Sequence, residues 1–152
     1  MCTAISYNHG AFMEELIEKY ELDKKSMKHA DSKETEYKFQ FQDKKPLLPI
    51  ITDTIHICEW GNRDNKISSL PHTGWCRAES LTAGKWDWLS PTMVRIPASH
   101  GLEKGVWFPI KNGIQGVLVY DKDHSEHIYM LTQSSDEAYR TLTQHDRMPA
   151  FV

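Results

Sequence analysis

The sequence predicts an α+β domain built mostly from antiparallel β-strands, with a few helices at its edges. Three observations carry that prediction. Short runs rich in β-branched and aromatic residues recur at Thr54 to Trp60, Met93 to Pro97, Gln115 to Tyr120 and His127 to Thr132. Only two stretches carry helix signals, about Gly10 to Tyr20 and the segment after Ser134. No repeat, low-complexity run or linker interrupts the 152 residues, a length suited to one domain with its own core.

Taken in order, Ile5 and Tyr7 belong to a short strand that ties the N-terminus into the body. Asn8 is placed to cap a helix from about Gly10 to Tyr20, with Phe12, Met13, Leu16, Ile17 and Tyr20 on one face. Glu21 to Lys45 is polar, lacks clear periodicity and reads as a surface excursion. Within it Tyr37, Phe39 and Phe41 alternate as a short edge strand, and Pro46 and Pro49 punctuate the chain just beyond it. The strand from Thr54 to Trp60 ends at Gly61 and the turn-forming residues Asn62 to Asn65. Residues 71–91, rich in Trp, Gly and Pro, read as irregular structure holding buried aromatics. Val106 to Ile110 is an edge strand, because Pro109 has no N–H for a ladder. Ser134-Ser-Asp-Glu137 has capping-box spacing and opens a helix over Ala138, Tyr139 and Leu142. That helix stops before Pro149 and leaves His145 to Met148 at its exit.

Composition narrows the function. No apolar run approaches the ~20 residues that span a bilayer, and no charged-then-apolar leader opens the chain. The expectation is a soluble, cytoplasmic monomer without a membrane partner. Three widely spaced cysteines, Cys2, Cys58 and Cys76, argue against a disulfide framework. The net charge is −3, so a broad positive surface for nonspecific nucleic-acid binding is excluded, and a polyanion needs a local groove. All the arginines lie after Trp60, the part that carries the phosphate-binding side-chain type.

The most reactive stretch is Met1-Cys2-Thr3. Removal of a Met before a small side chain is routine processing, and it leaves Cys2 with a free α-amine beside its thiol. The reference pKa values of those groups are about 8 and 8.5, so both are near reactive form at neutral pH. A 1,2-aminothiol condenses with an aldehyde and closes to a thiazolidine. It is also the arrangement of an N-terminal nucleophile that supplies its own base. The plain alternative is a cysteine that happens to fall second.

Three other stretches carry chemistry. Cys76-Arg-Ala-Glu-Ser80 sets Arg77 and Glu79 on one side of an extended chain, where a surface ion pair is the ordinary reading. Ile96-Pro-Ala-Ser-His-Gly-Leu-Glu103 is a strand entering a Gly-containing loop that ends in a carboxylate. His145-Asp-Arg-Met-Pro149 puts an acid/base near neutral pH two residues from an arginine. His72-x3-Cys76 and His124-x2-His127 have ligand-like spacings, but no CxxC or HExxH anchors a metal site, and none is expected. No phosphate- or dinucleotide-binding Gly pattern occurs, and no cofactor is expected.

In order along the chain, Met1-Cys2, Trp60-Gly61, Trp75-Cys-Arg-Ala-Glu-Ser80, Ile96-Pro-Ala98 through Glu103, and His145-Asp-Arg-Met-Pro149 resemble the SRAP family of SOS-response-associated peptidases. The resemblance covers nearly the whole chain and is weak between about residues 21 and 50. It implies a barrel-like, mostly antiparallel β-fold with peripheral helices. It also implies a DNA-damage function in which abasic sites in single-stranded DNA are captured covalently as a thiazolidine. By resemblance, Cys2, exposed by removal of Met1, is the nucleophile. Glu103 handles protons during imine formation, and His145 is the acid/base that opens the sugar or reverses the link. Arg77 and Arg147 hold phosphates, and Trp60 offers a face to an unstacked base.

The chain departs from the family pattern at named positions. Trp75 stands where the family has an Asn that positions the sugar, Ala4 replaces a phosphate-binding Arg, and the segment before Glu103 reads His100-Gly-Leu102. These changes imply weaker DNA affinity. They frame an alternative, a non-catalytic module of the same fold that binds single-stranded DNA or a protein, with Trp75 filling the sugar pocket. A third, unrelated reading is an N-terminal-nucleophile amidohydrolase, which needs two oxyanion donors beside Cys2.

Overall fold

The computed structural model describes residues 1–152. Twelve strands dominate: β1 Ala4–Asn8, β2 Ser26–Met27, β3 Glu36–Gln40, β4 Leu47–Ile51, β5 Ile55–Trp60 and β6 Trp75–Arg77, then β7 Thr92–Ile96, β8 His100–Glu103, β9 Val106–Pro109, β10 Ile114–Tyr120, β11 Glu126–Ser134 and β12 Arg147–Pro149. Three short helices accompany them, α1 Glu14–Lys19, α2 Ala78–Thr82 and α3 Glu137–Thr143. The strands form two assemblies. One is a five-stranded antiparallel sheet in the order β2-β3-β1-β8-β9. In the other, β10, β7, β4, β5 and β11 pair in sequence and β11 pairs back to β10, which closes a barrel. β6 and β12 extend it from β11. The expected class, mostly antiparallel β and barrel-like with a few peripheral helices, is what the chain adopts. No helix is long and apolar enough to cross a membrane.

Side-chain alternation explains how the layers assemble. In the register of β10 with β11, Leu118 faces Ile128 while Val117 faces Tyr129. Directly opposed residues share a sheet face, and neighbours along a strand point to opposite faces. Leu118, Ile128 and Met130 therefore enter the main core with Ile5, Phe39 and Trp60. Val117, Tyr129 and Leu131 form a second core under the 67–89 segment. Trp86 seals that core edge-on to Tyr129, with ring centroids 4.9 Å apart. These two strands are buried on both faces, so they read as apolar runs.

Several elements differ from expectation for local reasons. Asn8 does cap a turn, accepting from the Gly10 N–H, but the turn is a 3-10 segment ending at Ala11. Extended backbone at Phe12 and Met13 then separates it from α1. The strand containing Tyr37 and Phe39 lies inside its sheet, between β2 and β1, and both rings are fully buried. Pro49 sits within β4. The bonds from Trp60 N–H to Pro46 O and Thr52 N–H to Thr54 O place even-numbered residues in the hydrogen-bonded positions toward β5. The Pro49 nitrogen thus faces β7, which pairs with β4 only at Ile51–Arg95. Asp136, not Ser134, caps α3, accepting from the Tyr139 N–H. Residues 100–103 form a strand, so Glu103 is held on rigid backbone instead of a loop.

Candidate active site around the N-terminus

The first strand is central in its sheet, and its pairing continues outward to Thr3. The Thr3 N–H donates to Leu102 O and Thr3 O accepts from the Phe41 N–H, both at 3.0 Å. Residues 1 and 2 are thereby fixed where β8 ends and the His145 segment passes. The Met1 α-amine lies 2.6 Å from Glu103 Oε1 and 2.8 Å from His145 Nε2. Glu103 is 3% exposed at its side chain, and the Tyr139 hydroxyl donates to the same oxygen at 3.2 Å. Burial, with the Glu103 carboxylate nearby, pushes the Tyr139 phenol up, so it stays a donor. His145 Nδ1 lies 3.0 Å from the Arg147 backbone nitrogen and 3.2 Å from the amine, so the ring is fixed by the backbone of its own segment with both nitrogens beside the amine. A carboxylate and an imidazole converging on one amine form a pair able to take and return its proton.

The sequence-selected residues separate into three groups. Glu103 and His145 meet, with 3.8 Å between Oε1 and Nδ1. The Cys2 backbone is anchored here too, its carbonyl accepting from Trp75 Nε1 at 3.1 Å. The Cys2 thiol is engaged separately. Sγ donates to Ala4 O at 3.1 Å, the residue is fully buried, and burial pushes the thiol up to about 12. Gly101 leaves room for it, since a Cβ there would lie 3.1 Å from Cys2 Sγ and 2.6 Å from Phe108 Cζ.

The expected DNA contacts divide more sharply. Trp60 is fully buried and spends its indole N–H on Gly74 O at 2.8 Å, so its ring has no face for a base. Trp75 is partly exposed and packs on Phe41 at 4.6 Å between ring centroids. Arg147 is engaged by Glu79 at 2.7 and 3.1 Å and by the Thr132 hydroxyl at 3.1 Å. The Arg147 guanidinium holds the Glu79 carboxyl down at about 2. Arg77 is 64% exposed, 3.7 Å from the same carboxylate, and is the outward cation of the set. The metal-like spacings do not assemble. His127 bonds Gly61 O and Asp121, and His72 bonds the Arg63 carbonyl.

Sequence reasoning missed Tyr139 as a member of the site. Its helix was expected, but its contact with Glu103 joins residues 36 positions apart and carries no spacing signal. The wider clefts lie elsewhere. One of about 700 Å³ is bordered by Lys44, Lys45, Arg63 and Lys66, far from this cluster in sequence and sharing none of its residues.

No family model and no curated protein matches the chain. A protein from Bacteroides thetaiotaomicron, solved by X-ray crystallography as a structural-genomics target, is similar in fold. Its TM-score is 0.62 at 16% identity, over 99% of this chain and 77% of that one. The likeness is one of architecture.

Proposed function

We propose that this chain captures the aldehyde of an abasic site in single-stranded DNA through its N-terminus, in the manner of the SRAP proteins that its motifs resemble. One observation carries the reading. The Met1 amine is held by a buried carboxylate and an imidazole, a proton-transfer pair one residue from the Cys2 amine that removal of Met1 would free. In the reaction the amine nitrogen adds to the aldehyde carbon, and the carbinolamine loses water to give an imine. The Cys2 thiol then adds across the C=N bond, its proton passing to nitrogen, and a thiazolidine closes with net loss of one water. Glu103 and His145 would accept the ammonium proton and protonate the departing hydroxyl. With Met1 present the thiol is buried and protonated, so removal of Met1 and rotation of Cys2 away from Ala4 O belong to activation.

A second reading, a non-catalytic module of this fold, is favoured by a different observation. Arg147 is fully engaged and Trp60 is sealed, so two of the expected DNA contacts are spent on the protein itself. Intact mass spectrometry, before and after incubation with an abasic-site oligonucleotide, separates the two. A chain lacking Met1 that forms a stable adduct, lost in Cys2→Ala, supports capture. A processed chain without an adduct supports the module. A retained Met1 with an adduct only after borohydride would mean imine formation by an amine other than that of Cys2 and would rule out the thiazolidine.

A further inference from the structure

We propose that His29, Glu36 and His100 form a binding site for one zinc-like divalent cation, separate from the N-terminal cluster and independent of the function proposed above. Sheet register gathers the residues. In the antiparallel pairing of β1, Ser6 lies opposite His100 on one side, and Asn8 lies opposite Glu36 on the other. Residues 6 and 8 share a face of the strand, so His100 and Glu36 project to that same face. His29, from the loop after β2, folds over it and stacks on His100 with ring centroids 3.8 Å apart.

The geometry is that of a closed ligand set. The three residues are 8%, 2% and 7% exposed, and one donor atom from each lies within 4.8 Å of the others. His100 Nδ1 is 3.1 Å and His29 Nε2 is 3.7 Å from Glu36 Oε1. Bonds of about 2.0–2.1 Å in a tetrahedral zinc site put ligand atoms about 3.3 Å apart, between those two distances. The Ser6 hydroxyl, 2.7 Å from His29 Nε2 and 2.8 Å from Glu36 Oε1, is close enough to complete the set. The far nitrogen of His100 meets the Asp31 carboxylate at 3.2 Å. A carboxylate on the second nitrogen of a ligating histidine fixes its tautomer and raises its basicity.

Charge points the same way. Two carboxylates and two neutral imidazoles carry two negative charges, which a dication balances. Imidazole with a single carboxylate suits zinc, and thiolate takes no part. The low exposure indicates a structural ion that ties the 28–35 loop to the sheet.

The test is titration of the chelator-treated full chain with zinc ion, read by calorimetry and thermal unfolding. One equivalent is expected to bind with proton release, raising Tm by roughly 5–10 °C at a hundredfold excess over Kd. Asp31→Asn is expected to weaken binding about tenfold to a hundredfold, and Glu36→Gln and His29→Asn to weaken it more. His72→Ala, outside the cluster, is expected to bind as the parent does. Cobalt substitution needs no variant and so does not depend on their folding. It is expected to give tetrahedral visible bands without thiolate charge transfer. Absence of a one-to-one site, a thiolate signature, or undiminished affinity in folded Glu36→Gln and His29→Asn overturns the proposal.

Discussion

Glu103→Gln keeps the shape of the side chain and removes its charge, which isolates the hold on the N-terminal amine. The wild-type contact is 2.6 Å long, with the carboxylate 3% exposed and Met1 42% exposed at its side chain. Breaking a fully buried pair typically costs about 3–5 kcal/mol, and losing a hydrogen bond to a charged group about 1.5–3 kcal/mol. The amine can turn toward water and Gln can still accept from Tyr139, so the lower range applies, about 2 kcal/mol. For a chain of this size that is roughly 4–8 °C in Tm. Urea unfolding of the parent and Glu103→Gln, each with a free or an acetylated N-terminus, gives a double-mutant cycle. Acetylation is expected to cost the parent a similar amount and Glu103→Gln little more. Additive losses, or a Glu103→Gln variant within about 0.5 kcal/mol of the parent, would show that the amine is not held by this carboxylate.

The unprocessed chain is expected to resist a thiol reagent at pH 8, because Cys2, Cys58 and Cys76 are all buried and their thiols are pushed up by burial. A native thiol that reacts as fast as free cysteine would contradict that. Glu79 lies below its ordinary value in the folded state, so its pairing stabilises above pH about 4.3 and is lost as pH falls toward about 2. Arg147→Ala is therefore expected to flatten the acid limb of the stability profile in that window, measured by urea midpoints. Glu79→Gln frees Arg147 and is expected to tighten single-stranded DNA binding and steepen its salt dependence by about one phosphate contact, read by fluorescence anisotropy. Gly61 adopts φ +64°, and a Cβ there would lie 2.2 Å from Thr73 O. Gly61→Ala is expected to cost more than about 2 kcal/mol and to be the least stable of these variants.

The fold was legible where local physics decides it. The β-branched and aromatic runs at 115–120 and 127–132, the stop at Gly61 and the helix over Tyr139 are each set by residues close together in sequence. The grouping of Cys2, Glu103 and His145 came from the resemblance of motifs, since nothing in their spacing joins them. Barrel closure, the interior position of the Phe39 strand and the burial of Trp60 depended on pairings between distant segments. The same holds for the site. That the Met1 amine meets Glu103 while the Cys2 thiol bonds Ala4 O, that Glu79 occupies Arg147, and that His29 meets His100 across the sheet are outcomes of register and packing. An ordered list of residues determines which groups are available. Only the folded chain decides which of them share a pocket, because residues far apart in sequence meet only once the strands between them have paired.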